Sequence, residues 1–196
     1  MPKSMRALFV LVFVGAAATL ALALRAAPGV PAPAHQPKLA GATFTEDGKL
    51  QRPVDYRKWR YVTSGLGMSY GPAAQAAALT GQEMFDNVFV QPAAYDAFLR
   101  DGVWPEGTMF VLELRGTGTQ RAPNNRGYFQ TDVHAVEVSV KDSSRFKGRW
   151  AYFDFGPQAR TASPQPESGC FACHQKNTAV DMTFVQFYPT LQKVKR

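Results

Sequence analysis

Cysteine is nearly absent from this chain: its 196 residues contain only two. Two thiols exclude a disulfide-stapled scaffold and a four-thiolate zinc site. Charge is sparse too, at 19% of residues, and the basic residues are interspersed with acids rather than gathered into a stripe. That distribution excludes a nucleic-acid-binding surface. Long apolar runs are missing apart from one near the N-terminus, so a multi-span membrane protein is excluded. No repeat with a period of about 20 to 50 residues is visible, which removes solenoids and propellers. Apolar content is not scarce. With 45% hydrophobic residues, the chain has enough for one domain with a proper core, and it is not disordered.

The one apolar run follows a basic head, Lys3 and Arg6, and extends without charge from Ala7 to Leu24. This order reads as an export signal, with small residues such as Ala21, Ala23, Ala26 and Ala27 available to a signal peptidase. The run is also long enough to serve as an uncleaved anchor, so residues 1–27 are a signal peptide or an N-terminal anchor. Either way the body is expected in the periplasm or otherwise outside the cytoplasm, touching a membrane only through this segment. Loss of the segment removes Lys3, Arg6 and Arg25 and lowers the net charge from +7 to a mild +4. Residues 28–41, with Pro28, Pro31, Pro33 and Pro37, read as an extended linker. Residues 42–196 then form the domain.

Within the domain, period-two patterns dominate. Met84 to Val90, Thr108 to Arg115, Phe129 to Val140 and Trp150 to Phe155 read as strands. Phe110, Leu112 and Leu114 share one strand face, and Val136, Val138 and Val140 share another, away from Glu137 and Ser139. Arg60 to Thr63 is strand-like. Pro53 to Trp59 reads as a short helix, as does Pro92 to Arg100, with proline in its first turn. Gly65 to Gly71, Gly116 to Gly127 and Gly156 to Ser168 read as loops. Gly169 to Lys193 is expected to be helical at both ends. The fold class is therefore mainly β with a few short helices (α+β), an antiparallel sheet domain carrying a C-terminal helical segment.

Both cysteines lie in that segment, in the run Cys170-Phe171-Ala172-Cys173-His174. Two thiols spaced C-x-x-C can each add across one vinyl group of a haem, and His174 follows one helical turn after Cys170, within reach of the iron. Cys170 and Cys173 are thus the expected covalent haem attachments, and His174 the proximal iron ligand. A redox dithiol would sit early, after a strand and at a helix start. A structural zinc needs four ligands, and only His35 and His134 remain. Attachment of haem c takes place outside the cytoplasm, in agreement with the export run. Electron-carrying c-type cytochromes place this motif near the start and draw an axial Met from far downstream. Here 22 residues follow His174, and Met182 lies too close in sequence to reach the other haem face. A sixth ligand would come from Met68, Met84, Met109 or His134, each of which also has an ordinary core or strand role. A five-coordinate iron is the favoured reading.

The runs VEVSVKDSSRFKGRWAYFDF and CFACHQKNTAVDMTFVQFYPTL, together with WPEGT and its following strand, closely resemble the cytochrome P-460 family over Tyr56 to Leu191. The resemblance implies an exported mono-haem c-type protein of mostly β fold, usually a homodimer. The family includes hydroxylamine-oxidising enzymes and relatives that bind nitric oxide or carbon monoxide at a vacant, apolar distal site. In the oxidising members a lysine on the strand after the Gly-Thr turn is bonded to the haem edge. The matching position here is Leu112, so no Lys–haem crosslink is expected. The polar distal position falls near Asp86, and a carboxylate from the loop after WAYF would be Asp154 or Glu167. Without the lysine, the distal pocket is expected to be apolar, walled by Phe110, Leu112 and, less favoured than a core role for it, Phe89. Three functions follow: a cytochrome binding gaseous or nitrogen-oxide ligands, an oxidoreductase acting on hydroxylamine, nitric oxide or peroxide, and a simple electron carrier. The redox partner is not specified.

Overall fold

The computed structural model describes residues 39, 41–68, 83–119 and 121–192, all within a compact unit spanning His35–Arg196. The apolar N-terminal run and most of the proline-rich stretch lie outside the described residues, as does the loop expected beyond Met68. Leu39 is described: its N–H donates to the Glu106 carbonyl at 3.2 Å, and its side chain packs on the core.

Five strands form one antiparallel sheet in the order β2-β3-β4-β5-β6. They are β2 (Arg60–Leu66), β3 (Phe85–Val90), β4 (Met109–Gly118), β5 (Phe129–Lys141) and β6 (Trp150–Asp154). Two-residue strands β1 (Leu50–Gln51) and β7 (Thr161–Ala162) pair separately. The helices are α1 (Pro92–Asp101) and α2 (Cys170–Asn177). The protein is mainly β with few helices, as the period-two patterns predict.

Alternation decides which side chains face which core. Val111, Val136, Val138 and Phe153 share one face of the sheet, packed against Leu50, Tyr56, Phe155 and Ala162. Burial of each such large side chain is worth roughly 1.5–3 kcal/mol. The other face carries Val90 and Phe110 beneath α1 and the C-terminal segment, where Phe98, Trp104, Val185, Tyr188 and Leu191 complete a second core. Trp104 stacks on Phe98 with centroids 3.9 Å apart and donates its indole N–H to Thr183 Oγ1 at 2.9 Å. This contact ties α1 to the chain that follows α2.

The ends of α1 follow local rules. Pro92 sits at its first position, where a missing N–H costs nothing. Gly102 closes it at φ 71°, a left-handed conformation suited to glycine, with its N–H on the Phe98 carbonyl.

Four sequence expectations need correction. The loop expected from Gly116 to Gly127 loses its first three residues to β4, where Thr117 and Gly118 pair with Gln130 and Phe129. Gly65 and Leu66 belong to β2 rather than to a loop, because they pair with Asp86 and Phe85. The supposed loop 156–168 contains β7, too short for any periodic pattern to reveal. The expected helix at Pro53 to Trp59 is a single 3₁₀ turn, Tyr56–Lys58.

Candidate functional site

A cavity of about 570 Å³ lies on the second face of the sheet, within the size range of cofactor sites. Cys170, Cys173 and His174 line it from α2, and Phe110, Leu112, Leu114 and Val88 line it from the sheet. The helix α2 is only eight residues long and buries no side chain completely. Phe171, between the two cysteines, anchors it by lying against Gly148, where any Cβ would collide with the ring. Its last carbonyls are capped: Asn177 Nδ2 donates to Cys173 O at 2.9 Å and Thr178 Oγ1 to His174 O at 2.7 Å. Neither cysteine is in a disulfide, and burial raises the Cys170 thiol pKa.

His174 is held from three sides. Its Nδ1–H donates to the Met182 carbonyl at 2.8 Å, and its ring packs between Tyr152 and Phe184 with centroids 4.5 and 4.6 Å away. Burial lowers its pKa, opposed by the Met182 carbonyl, so the neutral imidazole is favoured. With Nδ1 committed, Nε2 is the nitrogen available to a metal, the arrangement that metal-ligating histidines favour.

The sheet wall is less apolar than expected. Asp86, Glu137 and Asp154 all line the cavity. Glu137 on β5 pairs directly with Leu112 on one side and with Asp154 of β6 on the other. Two carboxylates directly opposed repel each other. Burial, then Asp154 and Asp86, raise the Glu137 pKa, and burial raises Asp86 to about 6. The sequence places Glu137 opposite the valines but does not give the register that sets it between Leu112 and Asp154.

The other sequence candidates divide. Phe110 and Leu112 line the cavity. Phe89 does not: it lies on the opposite face against Tyr56 and Tyr61, because an odd offset from Val88 and Val90 reverses its side. Met109 is buried in that opposite core. His134 is exposed and sits over Gly116, away from the cavity lining. Met68 and Met84 do line the cavity, the Met68 thioether resting on Gly65 where a side chain would clash. Glu167 is exposed and not among the lining residues.

The family model for cytochrome P460 matches residues 53–185, which includes the sheet, the cavity wall and α2. The chain belongs to the cytochrome P460 family. No curated protein matches it significantly. A c-type haem protein follows from membership, and the residues fit such a group: two unpaired thiols and one neutral imidazole converge on a cavity of cofactor size. Leu112, the residue that the resemblance sets in place of the lysine, faces that cavity, between Val88 and Glu137 in the sheet.

Proposed function

We propose that this protein is an exported cytochrome with one haem c, bonded through Cys170 and Cys173 and ligated by His174. Its iron keeps a position open to small nitrogen-oxide or diatomic ligands such as nitric oxide and carbon monoxide. The carrying observation is that Cys170, Cys173 and His174 converge on the cavity from α2, while the β4 stretch facing it carries Phe110, Leu112 and Leu114, side chains that cannot ligate iron. Haem c, when bound, supplies an iron that takes up such ligands and exchanges single electrons. The chain's own part is to orient the imidazole through Met182 and Tyr152 and to present Val88, Phe110, Leu112 and Leu114 as the apolar portion of the wall.

Export is supported by the Lys3–Arg6 head and the uncharged run to Leu24. Among the described residues no helix is long and apolar enough to cross a membrane. A homodimer is inferred from the family resemblance alone. The absence of a Lys–haem crosslink is supported by Leu112 and by the engagement of the nearest lysines elsewhere. Lys141 is bonded to Asp181 and Trp104, and Lys58 to Asp55.

A second reading, oxidation of hydroxylamine, is favoured by the three cavity carboxylates. Oxidation of hydroxylamine to nitric oxide releases one proton with each electron, and Asp86, raised by burial to about 6, and Glu137, also raised by burial, are cavity carboxylates placed to accept them. The electrons would leave to a separate acceptor. A carrier role would need Met68 or Met84 to saturate the iron.

Carbon monoxide decides first. A prompt spectral change of the reduced protein is expected, and a ligand-insensitive low-spin spectrum refutes the open site. Turnover of hydroxylamine with an artificial one-electron acceptor then separates binding from catalysis. The denatured protein should retain the mass of one haem, and peptide mapping should find it joined to Cys170 and Cys173 alone.

A further inference from the structure

Two consecutive non-glycine residues, Asp181 and Met182, adopt left-handed φ angles of 41° and 62°. They form the centre of a turn closed by Thr183 N–H to Val180 O at 2.8 Å and Val180 N–H to Thr183 O at 3.4 Å. Two left-handed residues in succession make a type I′ turn, a conformation suited to Asn-Gly or Asp-Gly. Asp tolerates the first position. Met at the second does not do so freely, and such strain persists only where the surroundings over-determine it.

The surroundings do so here. Lys141, 4% exposed, donates from Nζ to Asp181 Oδ2 at 2.6 Å and to the Trp104 carbonyl at 2.6 Å. Asp181 Oδ1 accepts the Trp150 indole N–H at 3.3 Å and faces Arg149 at 3.4 Å. Thr183 Oγ1 takes the Trp104 indole N–H and donates to the Val180 carbonyl at 2.7 Å. The carbonyl carried by the strained residue is the Met182 oxygen that receives His174 Nδ1–H at 2.8 Å, with Tyr152 OH also donating to it at 3.4 Å.

A buried ion pair is weak evidence for stability, since desolvation offsets much of its attraction. Lys141 and Asp181 belong to elements far apart in sequence and meet only at this turn. We propose that the Lys141–Asp181 pair is a positioning device for the proximal histidine. It locks the left-handed turn, which aims the Met182 carbonyl at Nδ1, fixes the imidazole tautomer and ring orientation, and makes Nε2 a stronger donor. This rests on the reading of His174 as the iron ligand. Neither residue itself lines the cavity, so both act through Met182, which does.

The test uses haem-loaded wild-type protein and the variants Lys141→Met, Asp181→Asn and Val136→Ala, the last a loss of buried apolar volume in the core on the opposite face of the sheet. The ferrous iron–histidine stretching band is read by resonance Raman, directly and after photolysis of the carbon monoxide complex, alongside the thermal midpoint. Lys141→Met and Asp181→Asn are expected to move the band to lower frequency and broaden it. Val136→Ala should lower the midpoint and leave the band in place. Should Lys141→Met fail to mature, Asp181→Asn carries the test, because Asn is near-isosteric and at home in a left-handed turn. A lowered midpoint with an unmoved band in Asp181→Asn overturns the positioning role. A wild-type protein with no such band under either condition overturns the assignment of His174 itself.

Discussion

Replacing Asp86 by Asn should stabilise the protein, and only above the acid range. Asp86 sits on β3, on the cavity face of the sheet, opposite Leu114 and Gly65, and burial lifts its pKa to about 6. An unfolded-chain aspartate titrates near about 3.9, so the shift is roughly 2 units, or at most about 3 kcal/mol. The side chain retains partial exposure, and solvent screening reduces this to about 1–1.5 kcal/mol. The sign follows from linkage. Between about pH 4 and pH 6 the folded state holds a proton that the unfolded state has lost, so stability falls as pH rises through this window. The cost is small below the unfolded pKa and complete above the folded one. Asn keeps the shape of the side chain but cannot ionise, and it also relieves the repulsion that Asp86 exerts on Glu137.

The assay is thermal unfolding of haem-loaded wild-type and Asp86→Asn protein, followed by circular dichroism at about pH 4 and about pH 7.5. For a domain of this size about 1 kcal/mol corresponds to roughly 2–4 °C. The variant should therefore melt roughly 3–5 °C higher at the upper pH and nearly unchanged at the lower one. An equal shift at both pH values would refute the titration argument. A lower midpoint at pH 7.5 would show that the carboxylate is a paired, stabilising anion rather than a desolvated one.

Glu137→Gln should lower any hydroxylamine turnover by roughly a hundredfold or more, the usual scale for a proton-transfer group, while leaving carbon monoxide binding unchanged. Equal loss of both would mark Glu137 as structural. Glu113, 3% exposed, accepts from Tyr56, Arg57 and Arg115. Burial alone would raise its pKa, but these donors together hold it below the ordinary value. Glu113→Gln should cost about 2–3 kcal/mol in denaturant unfolding near neutral pH, and a cost under about 0.5 kcal/mol would mean that the network contributes nothing net. Gly148→Val should force Phe171 off its seat, lower stability by about 1–3 kcal/mol and reduce the yield of haem-bearing protein, whereas a normal yield and midpoint would show that α2 does not depend on that contact.

The parts of this protein legible in the sequence are those governed by short spacings. The C-x-x-C-H run fixes its own geometry, since one helical turn brings Cys170 and His174 to one side wherever the helix lies. The faces of β4 and β5 are equally local: Phe110, Leu112 and Leu114 fall on the cavity side and Val136, Val138 and Val140 on the other, as alternation requires. Features that depend on register or on distant pairing were out of reach. Glu137 reads as one polar residue among valines until β6 places Asp154 directly beside it. That pairing adds Glu137 to Asp86 and Asp154, the carboxylates that the resemblance already points to, as ionisable groups of the pocket. Phe89 shows how narrow the margin is, because one residue separates a pocket position from a core position on the opposite face. The carbonyl that holds His174 carries no sequence signature at all, since any residue at 182 supplies one.

The two cores do different jobs, and the difference bears on why attachment is covalent. The face behind β4 and β5 is closed by fully buried residues such as Val111, Val136 and Leu50, which gives the sheet a rigid back. The front must leave a large cavity, so α2 has little to pack on and buries none of its side chains completely. An isolated helix of this length is marginal in water. It is held through two side chains and its caps: Phe171 on Gly148 and Tyr152, His174 on Met182, Tyr152 and Phe184, and the caps from Asn177 and Thr178. The two thioether bonds proposed at Cys170 and Cys173 would join this lightly packed helix to a group that fills the cavity. Haem insertion would then complete the front core and not merely occupy it. On that reasoning Cys173→Ala, which leaves a single thiol, should lower thermal stability as well as haem content, with loss of protection from proteolysis concentrated in residues 170–192. A variant that loses haem yet resists proteolysis there as well as the holoprotein does would separate attachment from folding and refute the coupling.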